Sequence, residues 1–196
     1  YRLGDAESVG LADAAKRTRD VLSAAYAKER DPHAERAAKR SETLTFGMLG
    51  CDFHCGYCQN WLSSQALRDP ASDAAIGAVR RITPEAMVDQ GLRLGAQVIA
   101  SSYNEPLITT EWALAIFERA AAAGLRCAYV SNGNATPEVL EALRPYLTAY
   151  KVDLKTMQDR HYRQLGGVLA NVLDTIRGAR EMGFWVEVVT LVVPGF

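Results

Sequence analysis

The chain has 196 residues, of which 48% are hydrophobic and 23% are charged. This composition predicts one globular domain with its own core and excludes a disordered or fibrous protein. The 22 basic and 23 acidic residues leave a net charge of −1, so no overall field favours nucleic acid or an anionic membrane. No uncharged apolar run has the roughly 18 residues of a membrane helix, and the start lacks a signal-peptide core. We therefore expect a cytoplasmic protein.

The first 42 residues differ from the rest. They hold 17 of the 45 charged residues, with both signs mixed among many alanines. Val21, Leu22, Ala25 and Tyr26 recur at helical spacing, and Pro32 interrupts the pattern. We interpret residues 1–42 as a solvated, charged helical extension that precedes a core over 43–196.

From Thr43 onward, strand patterns alternate with helix patterns. Two helices carry a Thr-Pro start, in which the threonine caps the helix and the proline takes its first position. The predicted strands lie near 43–48, 97–102, 126–130, 149–154 and 184–193, and the predicted helices near 84–95, 108–123, 137–144 and 168–182. The connection over 59–82 contains at most one short helix.

This alternation predicts parallel βαβ units in an α/β protein. Two architectures fit it, a complete or partial TIM-type barrel and an open doubly wound sheet. No Gly-x-Gly-x-x-Gly follows the first strand, which counts against a dinucleotide-binding sheet. The chain begins with Tyr1 and ends at Phe196, directly after a strand-like run, so we expect it to be incomplete at its C-terminus.

Polar side chains follow four of the predicted strands. In either architecture, the functional residues gather at the carboxyl ends of the strands. These ends carry three cysteines after the first strand, Tyr103-Asn104-Glu105 after the second, Ser131-Asn132 after the third, and Asp153 with Lys155 at the fourth. The sequence therefore predicts a single site at this edge.

The cysteine spacing Cys51-x-x-x-Cys55-x-x-Cys58 indicates metal binding or redox chemistry in a reducing compartment. Thiolates suit zinc, copper(I) or iron–sulfur clusters, but structural zinc takes four protein ligands and usually two separated pairs. Three thiolates on a 4Fe–4S cluster would leave one iron open to a substrate or cofactor. Cys127 lies within a strand, and we predict that it is a buried core residue.

Cys51-x-x-x-Cys55-x-Tyr57-Cys58 resembles the signature of the radical SAM superfamily. The resemblance implies a partial (β/α)6 TIM-type barrel, truncated here at its C-terminus. It also implies a 4Fe–4S cluster on Cys51, Cys55 and Cys58, with S-adenosylmethionine (SAM) on the fourth iron and Tyr57 near the adenine. Reductive cleavage of SAM would then give a 5′-deoxyadenosyl radical, which abstracts hydrogen from a substrate.

The wider resemblance is to the pyruvate formate-lyase activating enzymes and to the activase-like branch called AmmeMemoRadiSam. It covers roughly 43–195, through the stretches 58–61, 104–106, 131–133, 152–155 and 191–195. It implies that SAM contacts Asn104, Glu105, Ser131, Asn132, Asp153 and Lys155. Two places depart from the activases: Tyr103-Asn104 replaces Gly-Gly, and Val189 replaces an arginine.

The resemblance implies an oxidoreductase that takes electrons from a donor such as flavodoxin or ferredoxin. Its substrate would be a partner protein, on which it makes a glycyl radical, or another molecule. A non-catalytic zinc or iron–sulfur module is the alternative of a different class. A SAM-dependent methyltransferase without radical chemistry fits poorly, because it would not need the three-cysteine loop.

Overall fold

The computed structural model describes residues 42–66, 68–70 and 79–194. The predicted helical extension lies outside these residues, except for Glu42. Glu42 begins the first strand of the sheet.

In the described part of the chain, five strands form one sheet, and every neighbouring pair is parallel. The strands are β1 (Glu42–Phe46), β2 (Ala96–Ser101), β3 (Arg126–Ser131), β4 (Leu147–Asp153) and β5 (Trp185–Val189). Their order in the sheet is the order in the sequence. In a doubly wound sheet the strand order reverses at a switch point, whereas in a TIM-type barrel neighbouring strands follow one another in the sequence. The order therefore decides between the two predicted architectures in favour of the partial barrel.

The predicted helices lie between these strands. The helices are α1 (Trp61–Ser64), α2 (Pro84–Arg93), α3 (Thr110–Ala122), α4 (Pro137–Leu143), α5 (Asp159–Leu165) and α6 (Leu169–Glu181), and a 3-10 turn over Pro106–Thr109 precedes α3. Both Thr-Pro starts are confirmed, because Thr83 and Thr136 accept hydrogen bonds from backbone amides in the first turns of α2 and α4. Helix α5 was not predicted, and β5 is shorter than predicted.

One face of the sheet packs against the helices and forms the core. Ile99, Cys127 and Tyr150 are fully buried on this face, and Ile116 and Phe117 of α3 are fully buried in the same core. Full burial of an isoleucine or phenylalanine side chain contributes about 1.5–3 kcal/mol. The prediction for Cys127 is confirmed, and its thiol lies 3.8 Å from the carbonyl oxygen of Phe117. None of the helices in the described segments is long and apolar enough to span a bilayer.

Close backbone approach at the carboxyl ends of β1 and β2 requires a glycine. A Cβ added to Gly47 would lie 2.5 Å from the carbonyl oxygen of Ser102 and 2.9 Å from the Cβ of Tyr103. The amide of Ser102 also donates to the carbonyl oxygen of Phe46 at 2.8 Å. The two strand ends are therefore held in contact where the chain enters the cysteine loop, residues 47–60.

Replacing Gly47 with alanine tests this contact. The clash involves backbone atoms, so we expect Gly47→Ala to lower the free energy of unfolding by about 3 kcal/mol. Gly56→Ala is the matched control, because a Cβ there meets nothing within 4 Å, and it should change stability by less than about 0.5 kcal/mol. Urea denaturation of both variants measures the difference. Equal stabilities would contradict the described approach.

Candidate active site

A cavity of about 420 Å³ lies at the carboxyl ends of the strands. Nine of the ten predicted site residues line it: Cys51, Cys55, Tyr57, Cys58, Asn104, Ser131, Asn132, Asp153 and Lys155. The tenth, Glu105, does not. The sheet thus brings together residues that lie up to 104 positions apart in the sequence.

The three cysteines of the loop are free thiols, and each is half-buried. Burial raises the pKa of Cys51 to about 12 and also raises that of Cys55. Without a positive charge nearby, the thiolate form of these cysteines is therefore disfavoured, and a cationic metal centre would favour it. Within residues 42–66, 68–70 and 79–194, no three His, Cys, Asp or Glu side chains converge on a point that could hold a single metal ion.

Thiolates are ligands both of zinc and of iron–sulfur clusters, and the three half-buried thiols that line the cavity can serve either kind of centre.

Glu105 lies behind the cavity wall with only 1% of its surface exposed. Its carboxylate accepts hydrogen bonds from Ser131 Oγ at 2.7 Å, from the Asn132 amide at 2.6 Å and from the Leu107 amide at 2.9 Å. The last bond caps the 3-10 turn, as an acid at a helix start commonly does. Burial raises the pKa of Glu105 to about 8, although these three bonds favour the ionised form.

Asp52, which the sequence analysis did not single out, joins the cysteine loop to the end of β3. Its two carboxylate oxygens accept from Asn132 Nδ2 at 2.6 Å and from Asn134 Nδ2 at 2.9 Å. Asn134 belongs to the polar stretch after β3 and was likewise given no role. The position of Asp52 inside the cysteine loop was the signal available in the sequence.

Asn104 joins the end of β2 to the same loop. Its side-chain amide donates to the carbonyl oxygen of Met48, and its Oδ1 accepts from Ser63 Oγ at 2.9 Å. Tyr103 and Asn104 have φ angles of 64° and 55°, in the left-handed region that favours glycine. The pair thus adopts a backbone conformation that glycine reaches readily and other residues reach at a cost.

Two lysines flank Asp153 at the end of β4. Lys155 Nζ lies 3.0 Å from one carboxylate oxygen, and Lys151 Nζ contacts the other. Burial alone would raise the pKa of Asp153, but the lysines outweigh it and hold that pKa below its ordinary value. Lys151 also lines the cavity and was missed, although the period of two along a strand puts it on the face of Asp153 and Lys155.

A family model described as the radical SAM superfamily matches residues 46–196. The chain belongs to the radical SAM superfamily. It is also 30% identical over 156 residues to the uncharacterized protein MJ0808 of Methanocaldococcus jannaschii. The match covers 80% of this chain and 44% of that protein, so the chain spans less than half the length of its relative.

Solved structures of radical SAM enzymes share the fold. SuiB of Streptococcus suis superposes with a TM-score of 0.57 at 16% identity, over 80% of this chain and 34% of SuiB. The radical SAM methyltransferase TsrM of Kitasatospora setae, with cobalamin and a [4Fe-4S] cluster bound, gives 0.54 at 13% identity, over 76% and 31% of the two chains. These likenesses establish the partial barrel.

The buried carboxyl group predicts a pH dependence of stability. Glu105 keeps its proton up to about pH 8 in the fold, against about 4.5 when unfolded. The folded state thus binds more protons between these values, and the free energy of unfolding falls as pH rises. From pH 5 to pH 8, we expect the wild type to lose about 3 kcal/mol relative to Glu105→Gln, measured by urea denaturation.

Glu187→Gln removes an exposed carboxylate and is the control for the loss of charge. Its stability should follow that of the wild type across the same pH range. If the wild type instead gained stability over Glu105→Gln with rising pH, Glu105 would be ionised in the fold.

Proposed function

We propose that this chain binds a 4Fe–4S cluster through Cys51, Cys55 and Cys58 and cleaves SAM reductively, so that a radical abstracts hydrogen from a substrate. The observation that carries the proposal is a cavity that is lined by all three cysteines and by the polar ends of three further strands. Membership of the radical SAM superfamily supports the same chemistry.

The donor set fits such a cluster. Three soft thiols leave one iron without a protein ligand, and Cys127 is buried in β3, outside the cavity. When bound, the reduced cluster would supply one electron that splits the sulfonium of SAM into methionine and a 5′-deoxyadenosyl radical, which takes a hydrogen atom from the substrate. The protein's own residues position SAM and exclude water around it.

The charges of the cavity suit a ligand that carries both signs. Asp52 and Glu105 lie behind the wall near the cysteines, and no ion pair among the described residues includes either of them. SAM would bring an ammonium and a sulfonium to this side. Lys155 and Lys151 also line the cavity, where they pair with Asp153 and would favour the carboxylate of SAM.

Individual SAM contacts follow from where the side chains lie. Tyr57, Asn104, Ser131 and Asn132 line the cavity and would contact SAM directly. Glu105 would act on SAM through Ser131 and Asn132, which it holds by hydrogen bonds.

The finer proposal is an activase-like oxidoreductase whose substrate is a glycine of a partner protein. It rests on the resemblance of the strand-end motifs to those of the activating enzymes, and Tyr103-Asn104, at the place of their Gly-Gly, has the positive φ angles that glycine readily adopts. Flavodoxin or ferredoxin would supply the electron, and the cytoplasm would supply the reducing conditions.

The proposal is tested by anaerobic reconstitution with iron and sulfide. We expect about four irons per chain and, after reduction and addition of SAM, release of 5′-deoxyadenosine detected by chromatography. Cys55→Ala should abolish the product, because the cluster would lose one of its three protein ligands. Cys127→Ala is the matched control and should retain iron content and product, because that thiol lies outside the cavity.

One zinc per chain with no iron–sulfur chromophore would contradict the proposal and favour the non-catalytic module. An iron–sulfur spectrum that Cys55→Ala leaves unchanged would contradict the assigned ligands.

A further inference from the structure

The cysteine loop is attached to the end of β3 by one carboxylate. Asp52 follows Cys51 directly, and each of its oxygens accepts from a different side-chain amide, at 2.6 Å from Asn132 and 2.9 Å from Asn134. Charge-assisted hydrogen bonds of this kind are roughly twice as strong as neutral ones. An aspartate suits the position because an amide side chain offers only one acceptor oxygen.

The two amides are themselves held in place. The backbone amide of Asn132 donates to Glu105 at 2.6 Å, and its Oδ1 accepts from the Asn134 amide at 2.9 Å. Asn132 is only 5% exposed. Asp52 therefore attaches the loop to a fixed part of the sheet, not to a mobile surface.

This attachment joins two walls of the cavity. Cys51, Cys55 and Cys58 lie on the loop, while Ser131 and Asn132 lie at the end of β3. Any movement of the loop relative to β3 changes the distance between the thiols and these polar groups. On the proposed function, that distance separates the cluster from part of the surface that binds SAM.

We propose that Asp52 is a positioning residue: it fixes the cysteine loop against the end of β3, so that cluster and SAM meet at a set distance. The inference rests on the proposed function, because the meeting of cluster and SAM is what the attachment would serve. Asp52 itself does not line the cavity and needs no contact with either group.

The attachment is tested first on the full chain without metal, by hydrogen–deuterium exchange read by mass spectrometry. In Asp52→Ala and in Asn134→Ala, peptides covering 50–58 and 131–135 should exchange about tenfold faster, while those of β2 and α3 stay unchanged. The double variant should exchange no faster than Asp52→Ala. Asp174→Ala, which removes an exposed aspartate paired only with Arg177 among the described contacts, should match the wild type.

The reconstituted chain then tests positioning. Asp52→Ala and Asn134→Ala should raise the KM for SAM about tenfold while iron per chain and kcat change less than about twofold. The inference would be overturned if hydrogen exchange were unchanged in the variants, or if the variants lowered kcat without raising the KM for SAM. If all peptides of Asp52→Ala exchange faster, that variant has lost its fold. Asn134→Ala, which keeps the Asp52 carboxylate, then tests the positioning role by itself.

Failure of the proposed function would be seen separately. A wild-type chain that binds iron but makes no 5′-deoxyadenosine would refute the radical chemistry. The positioning role would be refuted with it, even if exchange in the metal-free chain confirmed the attachment.

Discussion

Parallel pairing in sequential order sends the carboxyl ends of all five strands to one edge of the sheet. Every feature of the candidate site depends on this constraint. It brings the cysteine loop after β1 beside Asn104 after β2, Asn132 after β3 and Asp153 at the end of β4. Helices that pack on one face of the sheet bury the tyrosines and aliphatic residues of β2, β3 and β4, and this core holds the strand ends in place.

Hydrogen bonds then attach the cysteine loop to that edge. Asn104 holds the start of the loop through Met48, and Asp52 holds its middle through Asn132. Both attachments use side chains from strand ends, and both leave the three thiols facing one cavity. Such a loop is preorganised, so a ligand that binds there does not have to order it.

The charge distribution follows the same arrangement. Glu105 and Asp52 are linked through Asn132 beside Cys51, while Lys151 and Lys155 both pair with Asp153 at the end of β4. An ionised Glu105 is costly without a cation, because it is far from water. A ligand that carries both a positive charge and a carboxylate would relieve this cost and give the two lysines a second anionic partner.

Much of this arrangement could be predicted from the sequence, because it depends on local signals. Thr83 and Thr136 mark helix starts, and the cysteine spacing marks the loop. The hydrogen bonds between the cysteine loop and the end of β3 could not be predicted. The bond between Asp52 and Asn134, for example, joins positions that are 82 residues apart in the sequence. The burial of Glu105 could not be predicted either, because it depends on how β3 packs beside the 3-10 turn. Helix α5 was missed because its seven residues include few apolar ones.

The central claim is that three thiols hold a cluster whose remaining iron receives SAM. Mössbauer spectroscopy of the chain reconstituted with ⁵⁷Fe tests this most directly, because each iron reports its own ligands. The account predicts two kinds of iron in a ratio of about three to one, and a change confined to the minority iron when SAM is added. Four equivalent irons that do not respond to SAM, or a chain that binds zinc and no iron, would contradict it.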